Sequence, residues 1–141
     1  MTKCIIYTND AGEVSVIIPA PDSGLTIEQI AAKDVPGGVF FDVVDTDDIP
    51  TDRTFRNAWR KQGRTIAEDL AASKPIAHEK RRVARDEEMR PLDIRSTIPS
   101  QATAAEEARG ALRTKYAQLQ VAIDDAADVD ALRGFVVNLK G

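Results

Sequence analysis

The sequence predicts an α+β protein, with a small N-terminal β-hairpin and sheet carrying one short helix, followed by a helical C-terminal part, either a helical hairpin or a bundle. Three observations carry that prediction. β-Branched runs, "CIIYT" and "EVSVII", crowd the N-terminus and are separated by the turn signal "NDAG". Further on, the apolar spacing changes to i, i+3 and i+4, at Ala105, Ala108, Leu112, Tyr116, Leu119 and Ile123. With 43% hydrophobic and 30% charged residues among 141, the chain has apolar surface enough for one domain with a core, or for a small domain with a helical extension. The division expected is residues 1–62 for a small α+β domain and 63–141 for a helical region.

Taken in order, the two β-branched runs form a hairpin whose second strand ends at Pro19 and Pro21, because proline cannot donate to a ladder. "LTIEQIAAKDVPGG" follows as a short helix. Thr26 and Gln29 make its capping box, Ile27, Ile30 and Ala31 give it an apolar face, and "PGG" stops it. "VFFDVVD" reads as a third strand and "DTDDIP" as a turn-rich connector. Asp52 then reads as the N-cap of a helix "RTFRNAWRKQ" ending near Gly63, with Phe55 and Trp59 on one face and Arg56 and Arg60 on a neighbouring one. A short helix with one aromatic face must bury it. Phe55 and Trp59 are therefore expected to be packing anchors, with Arg53, Arg56 and Arg60 orienting the segment.

From Thr65 the pattern is helical almost to the end. Ile66 and Leu70 head one segment, Pro75 interrupts it, and residues 76–90 continue it with a thin apolar stripe at Ile76 and Val83. That stretch is expected to be an exposed strut with one narrow contact face. Pro91 and Pro99 bracket a connector. The seam Leu112, Tyr116, Leu119 and Ile123 resembles the a/d stripe of a coiled coil. "DDAAD" breaks that helix and Asp128 caps another, whose apolar positions include Val129, Leu132, Phe135, Val136 and Leu139. Two helices cannot hide both stripes and also cover the one at Ile76 and Val83. The expectation is an interface, in a homo-oligomer or a larger assembly.

Net charge is −4, which argues against general nucleic-acid binding, but its distribution is uneven. Residues 1–52 hold ten Asp/Glu against Lys3 and Lys33, whereas residues 53–95 hold twelve Lys/Arg against seven acids. Such a split pairs off within the fold or across subunits, or offers a basic strip to a polyanion. Arg53, Arg56 and Arg60 directly follow five aspartates between positions 42 and 52, and those acids or another acidic surface are their expected partners. The run "HEKRRVARDEEMR" is the best nucleic-acid candidate. Its own acids repel phosphate, and a solvated helix with i, i+4 pairs such as Arg82 with Asp86 is the plainer reading.

The residues that could carry other chemistry are few. Cys4 is the single cysteine, so it reads as a small buried hydrophobe. His78, the single histidine, lies in a charged helix and reads as a surface residue. "DTDDIPTD" lacks the central glycine and distal glutamate of a calcium loop. "PGG" precedes a strand, the wrong order for a phosphate cradle. The expectation is a protein without catalytic residues, metal or cofactor. No apolar run approaches the roughly 20 residues of a membrane helix, and the N-terminus does not read as a signal peptide, so synthesis in the cytoplasm is expected.

The order of "DIPTDRTFRNAWR", "GRTIAEDL", the basic "IAHEKRRVAR" and the closing "ADVDALRGFV" resembles small, mostly uncharacterised proteins encoded among the tail and tail-fibre genes of tailed bacteriophages and prophages. The resemblance covers most of residues 45–139, and its specific part is "RTFRNAW". It implies a non-enzymatic structural or assembly role in the tail, with tail or tail-fibre proteins as partners. The location implied is the host cytoplasm during synthesis, and the virion tail for a resident component. The alternative is a nucleic-acid-binding or regulatory module using Arg81, Arg82 and Arg85.

Overall fold

A computed structural model describes residues 2–139. The chain forms two compact units, Met1–Asp69 and Leu70–Gly141.

The first unit is built on a three-stranded antiparallel sheet ordered β2-β1-β3, from β1 (Lys3–Thr8), β2 (Val14–Ile17) and β3 (Phe41–Asp45). The "NDAG" turn is held by Asn9, whose Oδ1 accepts from the amides of Ala11 and Glu13, while Gly12 supplies a φ of 80°. Helix α1 (Ile27–Asp34) has the expected capping box, with Thr26 and Gln29 each accepting from the other's backbone N–H. Both faces of β1 are covered, which explains why Cys4, Ile5 and Ile6 are apolar in succession rather than in alternation. On one face Ile5 and Val43 pack with Ile30, Ala31 and Val35 of the α1 segment. On the other, Cys4, Ile6, Val14 and Val44 pack with Trp59.

That second layer differs from the expected helix "RTFRNAWRKQ". Only Arg56–Ala58 makes a 3-10 turn, and Trp59 then opens β4 (Trp59–Gln62), paired with β5 (Thr65–Glu68). Gly63 is the first residue of a two-residue hairpin turn, at φ 59°, the position a type II′ turn reserves for glycine. It joins two strands rather than ending a helix. Asp52 caps a turn instead, its Oδ1 accepting from the Thr54 amide at 2.9 Å and the Thr54 hydroxyl at 2.6 Å. Lys61 of β4 pairs with Asp42 of β3, and Arg64 donates to the Val43 carbonyl at 2.7 Å. The hairpin is thus tied to the sheet by Trp59 in the core and two cations at its margin.

Because residues 65–68 are a strand, the helical unit begins at Leu70, later than the boundary at 62/63 expected from the sequence. Its helices are α2 (Leu70–Arg95), α3 (Ala102–Asp124) and α4 (Val129–Asn138). Neither Pro75 nor Pro91 interrupts α2. Each removes one i→i−4 bond, and Ala71 and Glu87, whose carbonyls lose that partner, are both exposed and can turn to water. The expected connector from Pro91 therefore shrinks to the turns after Arg95. Lys74 reaches the Asp124 carbonyl, Glu88 meets Lys115 and Tyr116, and Asp93 meets Arg109. As one residue number rises the other falls, so α2 and α3 are antiparallel. Asp128 caps α4 by accepting from the Ala131 amide at 2.8 Å.

The contact face of α2 runs through Ser73, Ala77, Arg81 and Met89 rather than through Ile76 and Val83. Val83 is 47% exposed. On α3 the seam is as spaced in the sequence, with Ala105, Tyr116 and Ile123 buried and Ala108, Leu112 and Leu119 half-buried. No described helix is long and apolar enough to cross a membrane.

Candidate functional site

Phe55 and Trp59 are fully buried in the first unit. Trp59 belongs to the cluster of Cys4, Ile6, Val14 and Val44, so it closes a core and is not presented to a partner. Two of the arginines around it engage the segment itself. Arg53 places its guanidinium 5.9 Å from the Trp59 ring centroid, a cation–π contact. Arg60 donates to the carbonyls of Asn57 at 3.1 Å and Trp59 at 2.8 Å, bracing the turn into β4. Arg56 is exposed on the 3-10 turn. Two of the five preceding aspartates pair with lysines, Asp42 with Lys61 and Asp45 with Lys3. The Lys3 ammonium beside Asp45 holds its carboxyl below the usual range.

Cys4 is buried, and desolvation together with Asp48 and Asp45 pushes its thiol above the ordinary value. That is the opposite of the depressed pKa a reactive thiolate needs. Elsewhere in this unit, Phe40 is 91% exposed and Phe41, Ile18 and Leu25 are also exposed. The sequence reading placed both phenylalanines inside a strand and did not separate them.

In the helical unit the residues of the two stripes divide by depth. Tyr116, Ile123, Leu132 and Val136 are buried, while Leu112, Leu119, Phe135 and Leu139 are half-buried. Three of these outer residues, Leu119, Phe135 and Leu139, line a groove of about 310 Å³ with Ala122. Lys115, Gln118 and Asn138 complete its wall. Val121 and Val137, on the same two helices, are exposed. The groove is mostly apolar and open, with amide and ammonium groups at its margin, which suits an apolar side chain of another polypeptide.

Two polar clusters fix α2 against α3. The Tyr116 hydroxyl donates to Glu88 Oε2, and Lys115 Nζ lies 3.3 Å from both Glu88 oxygens. Burial and the Glu88 carboxylate raise the Tyr116 phenol well above its ordinary pKa, and the same hydrogen bond holds Glu88 below its own. His78 is not a free surface residue. Its Nδ1 accepts from Arg81 Nε at 3.3 Å, so the proton sits on Nε2, which donates to Asp124 Oδ1 at 2.7 Å. Arg81 is only 7% exposed, so of the basic run it is withdrawn from solvent. Arg82 pairs with Glu79 at 3.4 Å rather than with Asp86, which lies 3.8 Å from Arg85.

Among the described residues, no group of three or more His, Cys, Asp or Glu side chains is placed to hold a metal ion. Comparison with protein-family models, curated proteins and solved structures finds no match to this chain.

Proposed function

We propose that the protein is a non-enzymatic structural or assembly component of a bacteriophage tail, acting through protein–protein interfaces with tail or tail-fibre proteins. The single observation that carries the interface reading is the groove of Leu119, Ala122, Phe135 and Leu139, an apolar feature left at the outside of the helical unit. Leu119, Phe135 and Leu139 are outer members of the two stripes whose spacing already asked for a partner. The tail assignment rests on the resemblance centred on "RTFRNAW".

The proposed occupant is a neighbouring copy of the chain. Val121 and Val137 lie exposed on the two helices that form the groove but do not line it, so the unit carries both a socket and separate apolar residues that can fill the socket of a neighbouring copy, the requirement for head-to-tail self-association about an axis. Burying an exposed valine contributes about 1.5 kcal/mol or more, so several such contacts around a ring favour assembly. Quantitative mass spectrometry of purified particles and of infected-cell lysate tests the reading. Peptides at a fixed stoichiometry in particles identify a resident component. Peptides absent from particles but co-purifying with a tail protein from lysate identify an assembly factor. Absence from both overturns the assignment.

A further inference from the structure

The structure carries a second feature, independent of the groove: a cleft of about 380 Å³ on the α2/α3 pair, lined by Arg85, Arg90, Arg109 and Arg113 together with Asp86, Met89 and Asp93. We infer that this cleft binds a compact phosphate-bearing anion. Its volume is at the small end of the roughly 300–1,000 Å³ typical of small-molecule sites. Four guanidinium groups line it with two carboxylates, and Glu106 beside Arg109 and Arg113 is a third, so a small excess of positive charge remains there although the whole chain is acidic.

Two of the arginines share one carboxylate. Glu106 Oε2 pairs with Arg109 and Oε1 with Arg113, each at 3.0 Å, so one carboxylate fixes two forks. Bracing of this kind lowers the entropy lost when a ligand is grasped. Arg109 Nε lies 3.0 Å from Asp93 Oδ1, yet its N–H is not directed at that oxygen and remains a buried donor without an acceptor. The other two arginines are available. Arg85 has only the 3.8 Å approach of neighbouring Asp86, and Arg90 makes no ion pair or side-chain hydrogen bond among the described residues.

Met89, 7% exposed, sits among these groups. An apolar neighbour lowers the local dielectric and strengthens attraction to an anion. Arginine rather than lysine at all four positions matters, because the planar fork matches two phosphate oxygens at once. Neighbouring arginines also repel one another, and a bound dianion relieves that repulsion.

The test is calorimetric titration of the full chain with sodium pyrophosphate at low ionic strength, comparing wild type with Arg90→Gln and Arg82→Gln. Both substitutions remove one positive charge from the exposed side of α2, but Arg82 lies outside the cleft and pairs with Glu79. The expected result is saturable one-site binding, weakened roughly tenfold by Arg90→Gln and changed less than about twofold by Arg82→Gln, since one charge-assisted contact is lost in the first case alone. Circular dichroism confirms that both variants keep their helices. Absence of saturable binding, or equal weakening by the two variants, overturns the inference. A parallel arm uses a short single-stranded oligonucleotide. Weaker binding than pyrophosphate supports the compact ligand, whereas tighter binding that is also lost in Arg90→Gln overturns it in favour of a nucleic-acid backbone.

Discussion

Truncating Trp59 to alanine tests the first unit at its centre. Its side chain is fully buried against Cys4, Ile6, Val14 and Val44, so the deletion leaves a cavity between the sheet and the β4–β5 hairpin. Large aromatic-to-alanine changes in cores cost about 3–5 kcal/mol. One structural detail lowers the expectation: Trp59 Nε1 is buried without a hydrogen-bond acceptor, and such an orphan costs about 1–3 kcal/mol that the substitution returns. The expected loss for Trp59→Ala is therefore near the lower end, about 3 kcal/mol. Trp59→Phe, which keeps an aromatic ring and removes the unmatched N–H, is expected to lose no more than about 1.5 kcal/mol. Urea unfolding followed at the amides of Ile5 and Ile6 by NMR is the right assay, because two compact units need separate midpoints and the mutation removes the fluorophore. A Trp59→Ala protein within about 1 kcal/mol of wild type, or a wild-type emission maximum unchanged on denaturation, would contradict burial at this position.

Other outcomes follow from the same geometry. Arg53→Ala removes the cation–π contact at 5.9 Å and is expected to cost about 0.5–1 kcal/mol, measured as above. Pro91→Ala is expected to stabilise the helical unit, by up to about 3 kcal/mol, because it restores an interior helical bond at an exposed position; a loss of stability would mean that the proline geometry is itself required. The Tyr116–Glu88 pair gives two edges of pH dependence. Glu88 is depressed, so its contribution is present above the usual glutamate pKa and fades as pH falls through the lowered value. Tyr116 is raised, so its contribution is present below the usual tyrosine pKa and fades only as pH rises through the elevated one. Ultraviolet titration of phenolate is expected to show a late-ionising tyrosine that disappears in Tyr116→Phe.

Local chemistry made much of this fold legible. The "NDAG" turn, the Thr26/Gln29 box and the Asp128 cap each lie within a few residues of the element they fix, and all stand where the sequence put them. The segment 52–68 was misread for a physical reason. The i, i+4 spacing of Phe55 and Trp59 fits a helix and neither "WRKQ" nor "TIAE" alternates cleanly, so the Gly63-Arg64 pair, a type II′ turn signal, was the one local mark of the hairpin. Short segments are decided by tertiary contacts, here by burial of Trp59 on the sheet. Pro75 and Pro91 were read as breaks because local rules penalise an interior proline, yet exposed carbonyls tolerate the missing donor.

The candidate surfaces were legible only in part. Periodicity marked the stripes containing Leu119, Phe135 and Leu139, but it could not tell which members would be buried and which left at a groove. The arginine cleft was missed. Arg85 and Arg90 belong to one helix and Arg109 and Arg113 to another, and only the antiparallel pairing of α2 with α3 brings them together. Within α3 a trace was present, since Glu106, Arg109 and Arg113 recur at helical spacing.

Sedimentation of the purified full chain, alone and mixed with candidate tail and tail-fibre proteins, tests the central claim most directly when wild type is compared with Phe135→Lys, which places a charge in the apolar groove. The expected result is a concentration-dependent larger species, or a complex with a tail protein, for wild type and its loss in the variant while helical content is kept. A wild-type chain that stays monomeric at high concentration and binds no tail protein would contradict the claim.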